Sequence, residues 1–352
     1  MPKVKILFIT SNDGSDTRLN KEVKTLSRFY DIYFIGVGRD KGNSYLKEHC
    51  KGFYLIDEKR NSVRCIIRQI SLFRKTVKEN NISLIHIVNE QLMIFFIPWL
   101  YRKKVVLDLF DSIFLKMNKP GNKFLIMKKI VYSFANKIIV TDERRLSLMP
   151  DFVNNKTVVI PNYPYLDQKD SVEKQNHDRI KVFFGGSVAE TRGVNFVREL
   201  LEFEIIDIFL AGWIQDECSR ELLDHPKVKY LGVLHQEDVN EFVRREMDFI
   251  MCMYEPSNEN NINASPNKVY DAIQTETPVI INREVKVSDF VEKYNLGIIL
   301  PKYNTEPDAG LIKTMKGFSL RKNEIIPLKK KYSWESLEKK LTNLYETNHT
   351  IL

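Results

Sequence analysis

The sequence predicts an α/β protein built from two Rossmann-like domains facing each other across a cleft, and three observations carry that prediction. Short apolar runs alternate with amphipathic helical stretches along most of the chain, the pattern of parallel sheets covered by helices. A polar stretch from Tyr163 to Asp178 interrupts the alternation near the middle. At 352 residues the chain also exceeds what one hydrophobic core usually serves. The expected domains are 1–165 and 166–330, followed by a C-terminal helix over 331–352.

In the first half the strand-like runs are Val4–Thr10, Asp31–Gly36, Leu84–Val88, Val105–Leu109, Lys137–Thr141 and Thr157–Ile160. Between them, Asp16 is placed to cap a helix whose Leu19, Val23 and Leu26 repeat at helical spacing, and Val63, Ile66, Ile70 and Val77 mark the next helix. Tyr163 to Asp178, with Pro164, Asp167, Lys169, Asp170 and Gln175, has little to bury and reads as the linker. The pattern then restarts with the strand Ile180–Phe184, a loop Gly185-Gly186-Ser187 and a helix Arg192–Phe203. Strands follow at Ile205–Ala211, Val228–Leu231, Phe249–Met253, Pro278–Ile281 and Gly297–Leu300.

The segment Ser265-Pro266-Asn267-Lys268-Val269-Tyr270-Asp271-Ala272 carries the most chemistry. Ser265 suits an N-cap and Pro266 the first helical position, so a helix is predicted to open there. Lys268 and Asp271, three residues apart, share one face beside the positive end of that helix, a place suited to a phosphate and a sugar hydroxyl. The same spacing also suits a surface ion pair. Glycines at 185 and 186 would let backbone N–H groups approach an anion, and parallel strands place ligands at their carboxyl ends.

Charge is unevenly distributed. Residues 1–170 carry 30 Lys and Arg against 17 Asp and Glu, leaving 24 against 29 for the rest. Gln91 to Leu100 is nearly all apolar and is followed by Arg102-Lys103-Lys104, while Lys116 to Lys137 interleaves Lys119, Lys123, Lys128 and Lys129 with Phe124, Leu125, Ile126, Ile130, Val131 and Tyr132. Basic residues alternating with large apolar ones suit an anionic membrane surface, and equally a core helix with a solvated basic face. No run reaches the length of a transmembrane helix, and none resembles a signal peptide, so a cytoplasmic chain is expected. The four cysteines form no C-x-x-C pair, which argues against a zinc site. No reading helix or aromatic platform motif marks a nucleic-acid binder.

These landmarks, in this order, resemble a GT-B glycosyltransferase, most like the large retaining family that builds bacterial surface polysaccharides. Asp16 to Glu22 resembles that family's "D-x-R-x-x-K-E" opening helix, Val105 to Asp111 its "V-V-Y-D-x-H-D" strand and turn, and Ala135 to Thr141 with Val158 to Asn162 the segments closing its first domain. In the second half, Phe184 to Ser187 with Arg192-Gly193-Val194 resembles its "G-R-L…K-G-V" loop, and Phe209 to Gly212 and Val228 to Val233 its "L-x-G-x-G" and "V-x-F-L-G-x-V" strand ends. Pro266 to Ile281 resembles its nucleotide-sugar segment, and Tyr332 to Glu335 with Leu341 to Tyr345 the final helix that crosses back onto the first domain.

The resemblance implies transfer of a sugar from a UDP- or GDP-linked donor, with retention and without a metal, to a lipid-linked saccharide at the inner membrane face, in capsule, O-antigen or exopolysaccharide assembly. It assigns Arg192, Lys268 and Asp271 to the departing diphosphate and the ribose, and donor contacts to Gly185, Gly186, Ser187, Val233, Tyr254, Ser265 and Asn267. Acceptor contacts are expected from Asp13, Gly14, Asn89 and Asp111, with Glu90 and Asp108 as further candidates. Asp108 and Asp111 would equally suit turn capping, and His86, inside a strand, reads as structural. Asn263 stands where the family carries a carboxylate, Gly186 where an Arg often binds phosphate, and Phe110 where a His is frequent. Those departures keep open a nucleotide-sugar epimerase and a non-catalytic protein that binds a nucleotide sugar or a partner transferase.

Overall fold

The computed structural model describes residues 3–40, 45–116, 122–169 and 178–346, so Lys119, Asp170 and Gln175 lie outside the described residues. The chain divides into two compact units, residues 1–161 with 337–352 and residues 162–336.

In the first unit, β1 (Lys5–Ile9), β2 (Asp31–Val37), β3 (Cys50–Ile56), β4 (Leu84–Val88), β5 (Lys104–Leu109), β6 (Lys137–Val140) and β7 (Thr157–Val159) form one parallel sheet in the order β3-β2-β1-β4-β5-β6-β7. Its helices are α1 (Thr17–Ser27), α2 (Val63–Asn80), α3 (Glu90–Phe96), α4 (Ile113–Lys116), α5 (Asn122–Phe134) and α6 (Glu143–Leu146). The strand order reverses between β1 and β4, and both are buried along almost their whole length because helices cover each face of a parallel sheet. Asp16 caps α1 as its position predicts, its carboxylate accepting from the N–H groups of Arg18 and Leu19. Strand β3 has no counterpart in the sequence reading. It runs along the sheet edge, where Lys51 and Gly52 interrupt the apolar run without cost because one side stays open to water.

The second unit holds β8 (Ile180–Val188), β9 (Ile206–Ile214), β10 (Val228–Tyr230), β11 (Phe249–Met251), β12 (Val279–Asn282) and β13 (Gly297–Leu300), a parallel sheet in the order β10-β9-β8-β11-β12-β13. Its helices are α7 (Val194–Leu200), α8 (Glu217–Glu221), α9 (Gln236–Glu246), α10 (Glu259–Ile262), α11 (Asn267–Thr275), α12 (Ser288–Lys293), α13 (Ala309–Gly317) and α14 (Lys322–Lys331). Val182, Phe184, Leu210 and Met251 anchor the core on one face of the sheet, and Val269, Ile273, Val279 and Ile281 on the other. The last helix, α15 (Glu335–Glu346), starts in this unit and from Leu337 onward belongs to the first, where it buries Leu341, Leu344 and Tyr345. Its Glu338 accepts hydrogen bonds from Thr25 and Arg28 of that unit.

Three local expectations are corrected. Gly185-Gly186-Ser187 is the continuation of β8, held by β9 in register Gly185 to Ala211, Gly186 to Gly212 and Ser187 to Trp213, so the neighbouring backbone supplies the order that glycine lacks. The helix predicted from Arg192 begins at Val194, because Glu190–Arg192 forms a separate 3-10 turn that ends at Gly193 in a left-handed conformation. The described part of the expected linker is not loose. Leu166 N–H donates to Glu335, Asp167 N–H donates to Gln274, and the Tyr163 ring lies 4.5 Å from that of Tyr270, all within the second unit.

Candidate functional site

Glycines 186, 212 and 232 lie at the carboxyl ends of β8, β9 and β10. Gly212 has φ +127°, and a Cβ there would stand 2.0 Å from the Gly186 carbonyl oxygen, so the two strands approach as only glycine allows. Gly212 N–H donates to the Gly232 carbonyl, and Gly186 (φ +84°) and Gly232 (φ +75°) both face open space. Gly185 is buried against Phe183, whereas Gly186 and Ser187 are exposed, as is Val233 just beyond.

Beside these glycines the turn Glu190–Arg192 is tied down from three sides. The Tyr303 hydroxyl accepts from Gly193 N–H and donates to the Glu190 carbonyl, Asp216 accepts from Glu190 N–H, and Glu255 N–H donates to the Thr191 carbonyl. A turn so fixed aims the Arg192 guanidinium over the ring of Tyr254, 3.8 Å from its centroid. Arg192 Nη1 is buried there and has no hydrogen-bond partner.

Lys268 approaches the same place from α11. Its ammonium lies 5.4 Å from the Phe184 ring centroid. Burial pushes its pKa down to about 8; Arg192 repels it in the same direction, while Cys252 and Asp271 oppose. Arg192, Lys268 and Asp271 are thus neighbours in the structure, joined by Cys252, whose thiol burial pushes up to about 11. Asp271 is buried and accepts from the Gln236 amide at 3.4 Å.

The cap at the start of α11 is also corrected. Pro266 occupies the N-cap, no side chain caps the helix, and Ser265 Oγ is buried with no hydrogen-bond partner. The proline backbone sits at ψ 132°, outside the helix, which displaces the serine by one residue from the capping position. The N–H groups at Asn267 and Lys268 therefore keep the helix terminus open to an anion.

Sequence reasoning missed the brace behind Tyr254. Asn282, at the end of β12, accepts from Tyr254 N–H and donates to the Tyr254 carbonyl and to Glu284, whose other oxygen accepts from Tyr303 N–H. One buried amide thereby links the residues that position Arg192. Its only signal in the sequence is a polar residue closing an apolar strand.

In the first unit the expected acceptor residues divide by burial. Asp108 and Glu90 are fully buried and internally paired: Asp108 accepts from the Arg18 guanidinium through both oxygens, and Glu90 accepts from Ser112, Tyr132 and Ile113 N–H. Burial pushes both carboxyls above the usual range, and neither reaches solvent to meet a ligand. Asp13 accepts from Ser15, and Gly14 turns the chain at φ +86°. Asn89 accepts from the N–H groups of Phe110 and Asp111, bridging the ends of β4 and β5, and exposed Asp111 lies 3.4 Å from Lys116. Asn89 also lines a small opening of about 10 Å³, room for about one water, with Ser11, Asn61, Gln69, Gln91, Leu92 and Phe95.

Among the described residues, Glu22, His86 and Asp108 bring potential metal ligands within 4.8 Å of one another. Arg18 already fills the cation's place, 3.0 Å from Glu22 and 3.1 Å from Asp108, so the donor set does not fit an ion.

No protein-family model and no curated protein matches the sequence. Solved structures do match, over the whole chain. Sucrose-phosphate synthase from Thermosynechococcus elongatus shares 13% identity, with a TM-score of 0.76 over 99% of this chain and 100% of that one. The chain has the GT-B fold. Among other GT-B structures, the Anabaena protein HepE, solved in complex with UDP-glucose, gives a TM-score of 0.72 at 13% identity over 97% of this chain and 99% of its own. The lipopolysaccharide outer core galactosyltransferase WaaB, in its apo form, gives 0.65 at 12% identity over 98% and 100%. No helix among the described residues is long and apolar enough to cross a membrane.

Proposed function

We propose that this GT-B protein is a glycosyltransferase that moves a sugar from a nucleotide-sugar donor to a saccharide acceptor. The observation that carries the reading is the pairing of Arg192, with a buried guanidinium nitrogen left unpartnered, and Lys268 beside the glycine-lined ends of β8, β9 and β10. Two cations held at an uncapped helix terminus, in a partly desolvated place, are built for a diphosphate whose negative charge grows as the glycosidic bond breaks. Asp271 would accept from the ribose, with Gly185, Gly186, Ser187, Val233, Tyr254, Ser265 and Asn267 completing the donor site, and no metal is needed to balance the charge. HepE, of the same fold, was solved with UDP-glucose and with UDP, which supports a uridine donor over a guanosine one.

Transfer would proceed with retention. The leaving phosphate oxygen takes the proton of the acceptor hydroxyl as the new bond forms on the face the diphosphate leaves, so no protein nucleophile is required. The acceptor would lie at Asp13, Gly14, Asn89 and Asp111. A lipid-linked saccharide at the inner membrane face, in capsule, O-antigen or exopolysaccharide assembly, agrees with the basic first half and with the resemblance to bacterial surface-polysaccharide enzymes.

The test is a thermal-shift panel of UDP-, GDP-, CMP- and dTDP-sugars, followed by calorimetry with the Lys268→Ala variant. One donor should raise the melting temperature, and the variant should lose that rise while keeping its own melting transition. Silence across the panel, or an unchanged response of Lys268→Ala, would overturn the reading. A rearranged sugar from donor alone would replace it with an epimerase.

A further inference from the structure

Helix α5 is apolar on two faces, and only one of them is used by the core. Val131 and Tyr132 are buried and Phe124 packs beside them against the sheet of the first unit. On the opposite side Ile126, Ile130 and Phe134, spaced by four, fall along one line of the helix and are 61%, 45% and 43% exposed, with Leu125 and Met127 also open to solvent. A helix on a soluble surface turns polar residues outward. Here the outward residues are branched and aromatic apolar ones, with Lys123 and Lys129 exposed between and beside them.

The electrostatics of this stretch are of one sign. From Ser112 to Thr141 the sequence contains six lysines and no Asp or Glu. Lys128 alone on α5 turns inward, its ammonium 5.9 Å and 5.8 Å from the Phe114 and Tyr132 ring centroids, and burial lowers its pKa. The exposed cations are therefore those that flank the apolar line.

We propose that the outward face of α5 docks onto an anionic lipid bilayer, with Ile126, Ile130 and Phe134 entering the boundary between headgroups and acyl chains and Lys123 and Lys129 meeting lipid phosphates. The proposal deepens the membrane part of the reading above and rests on it. A second copy of the chain is a poor occupant: a two-fold pairing of this face would oppose lysines with lysines, and the helix has no carboxylate to answer them. A bilayer rich in anionic headgroups answers both the charge and the greasy line.

The experiment is co-sedimentation of the full chain with vesicles of phosphatidylcholine alone and of equal parts phosphatidylcholine and phosphatidylglycerol, at low salt. Wild type should prefer the anionic vesicles by at least about tenfold, and Ile126→Ser/Ile130→Ser and Lys123→Glu/Lys129→Glu should each lower that partitioning by about tenfold or more. Each variant's melting transition and its response to the donor sugar report folding independently of lipid. A Phe134→Trp variant should shift its emission to the blue on anionic vesicles alone. Unchanged partitioning of the serine variant, or a dimer in solution that the serine variant breaks, would overturn the proposal. Vesicle binding without any nucleotide response would instead count against the transferase reading and leave the docking face standing.

Discussion

The hydroxyl of Tyr345, in the last helix, lies 2.6 Å from Nδ1 of His86 in β4, and both side chains are fully buried. This contact closes the first unit with residues 259 positions apart in the chain. On the other side of the ring, Nε2 lies 3.7 Å from Asp108 and 3.8 Å from Glu22, and Arg18 pairs with both carboxylates. Burial pushes the imidazole down to about 3, so it stays neutral at physiological pH. Tyr345→Phe should remove the bond and strand a buried nitrogen, lowering stability by about 1–3 kcal/mol in urea unfolding. Arg18→Ala, which leaves two buried carboxyls without their cation, should cost more, about 3–5 kcal/mol.

The two strand-end glycines should answer differently to the same change. A methyl group at Gly212 would stand 2.0 Å from the Gly186 carbonyl, so Gly212→Ala has to move backbone and should unfold at a markedly lower temperature. Gly186→Ala meets nothing within 4 Å and carries only the left-handed strain of about 1–2 kcal/mol, yet it fills space where a phosphate would approach. It should fold and lose donor affinity. Equal melting temperatures for the two variants would contradict the geometry.

Lys268 gives the proposed donor site a pH signature. Its pKa in the folded chain is about 8 against an ordinary 10.5, so between those values the unfolded chain binds more protons and Lys268's contribution to stability rises with pH. Donor binding runs the other way, because a diphosphate needs the ammonium. Affinity measured by calorimetry should hold below pH 8 and fall above it, with proton uptake on binding. Lys268→Arg, charged throughout, should flatten that fall.

Asn282 should act at a distance from the donor. Its amide holds both backbone groups of Tyr254, on whose ring Arg192 rests. Asn282→Ala should release that loop and raise KM for the donor more than it lowers kcat, and Asn282→Asp, which keeps the acceptor but loses the donor to the Tyr254 carbonyl, should fall between the two. Equal losses in kcat and KM for both would mark Asn282 as merely structural.

The fold was legible because parallel strands buried on both faces leave continuous apolar runs such as residues 6–9 and 279–281, and because Asp16 marks a helix start by side-chain chemistry that acts over three residues. Those signals are local, and local physics suffices to produce them. The edge strand Cys50–Ile56 escaped notice because its pairing partner, not its own pattern, makes it a strand.

Arg192, Lys268 and Asp271 are readable in the sequence as candidate residue types at their positions. That Arg192 rests on Tyr254, that Lys268 is desolvated beside Phe184, and that Asp108 and Glu90 are consumed by Arg18, Ser112 and Tyr132 follow from contacts between segments tens of residues apart. Sequence periodicity fixes which face of an element is apolar. Only packing decides which polar group on it is satisfied internally and which is left to meet a ligand, because that depends on partners the chain brings together after it folds.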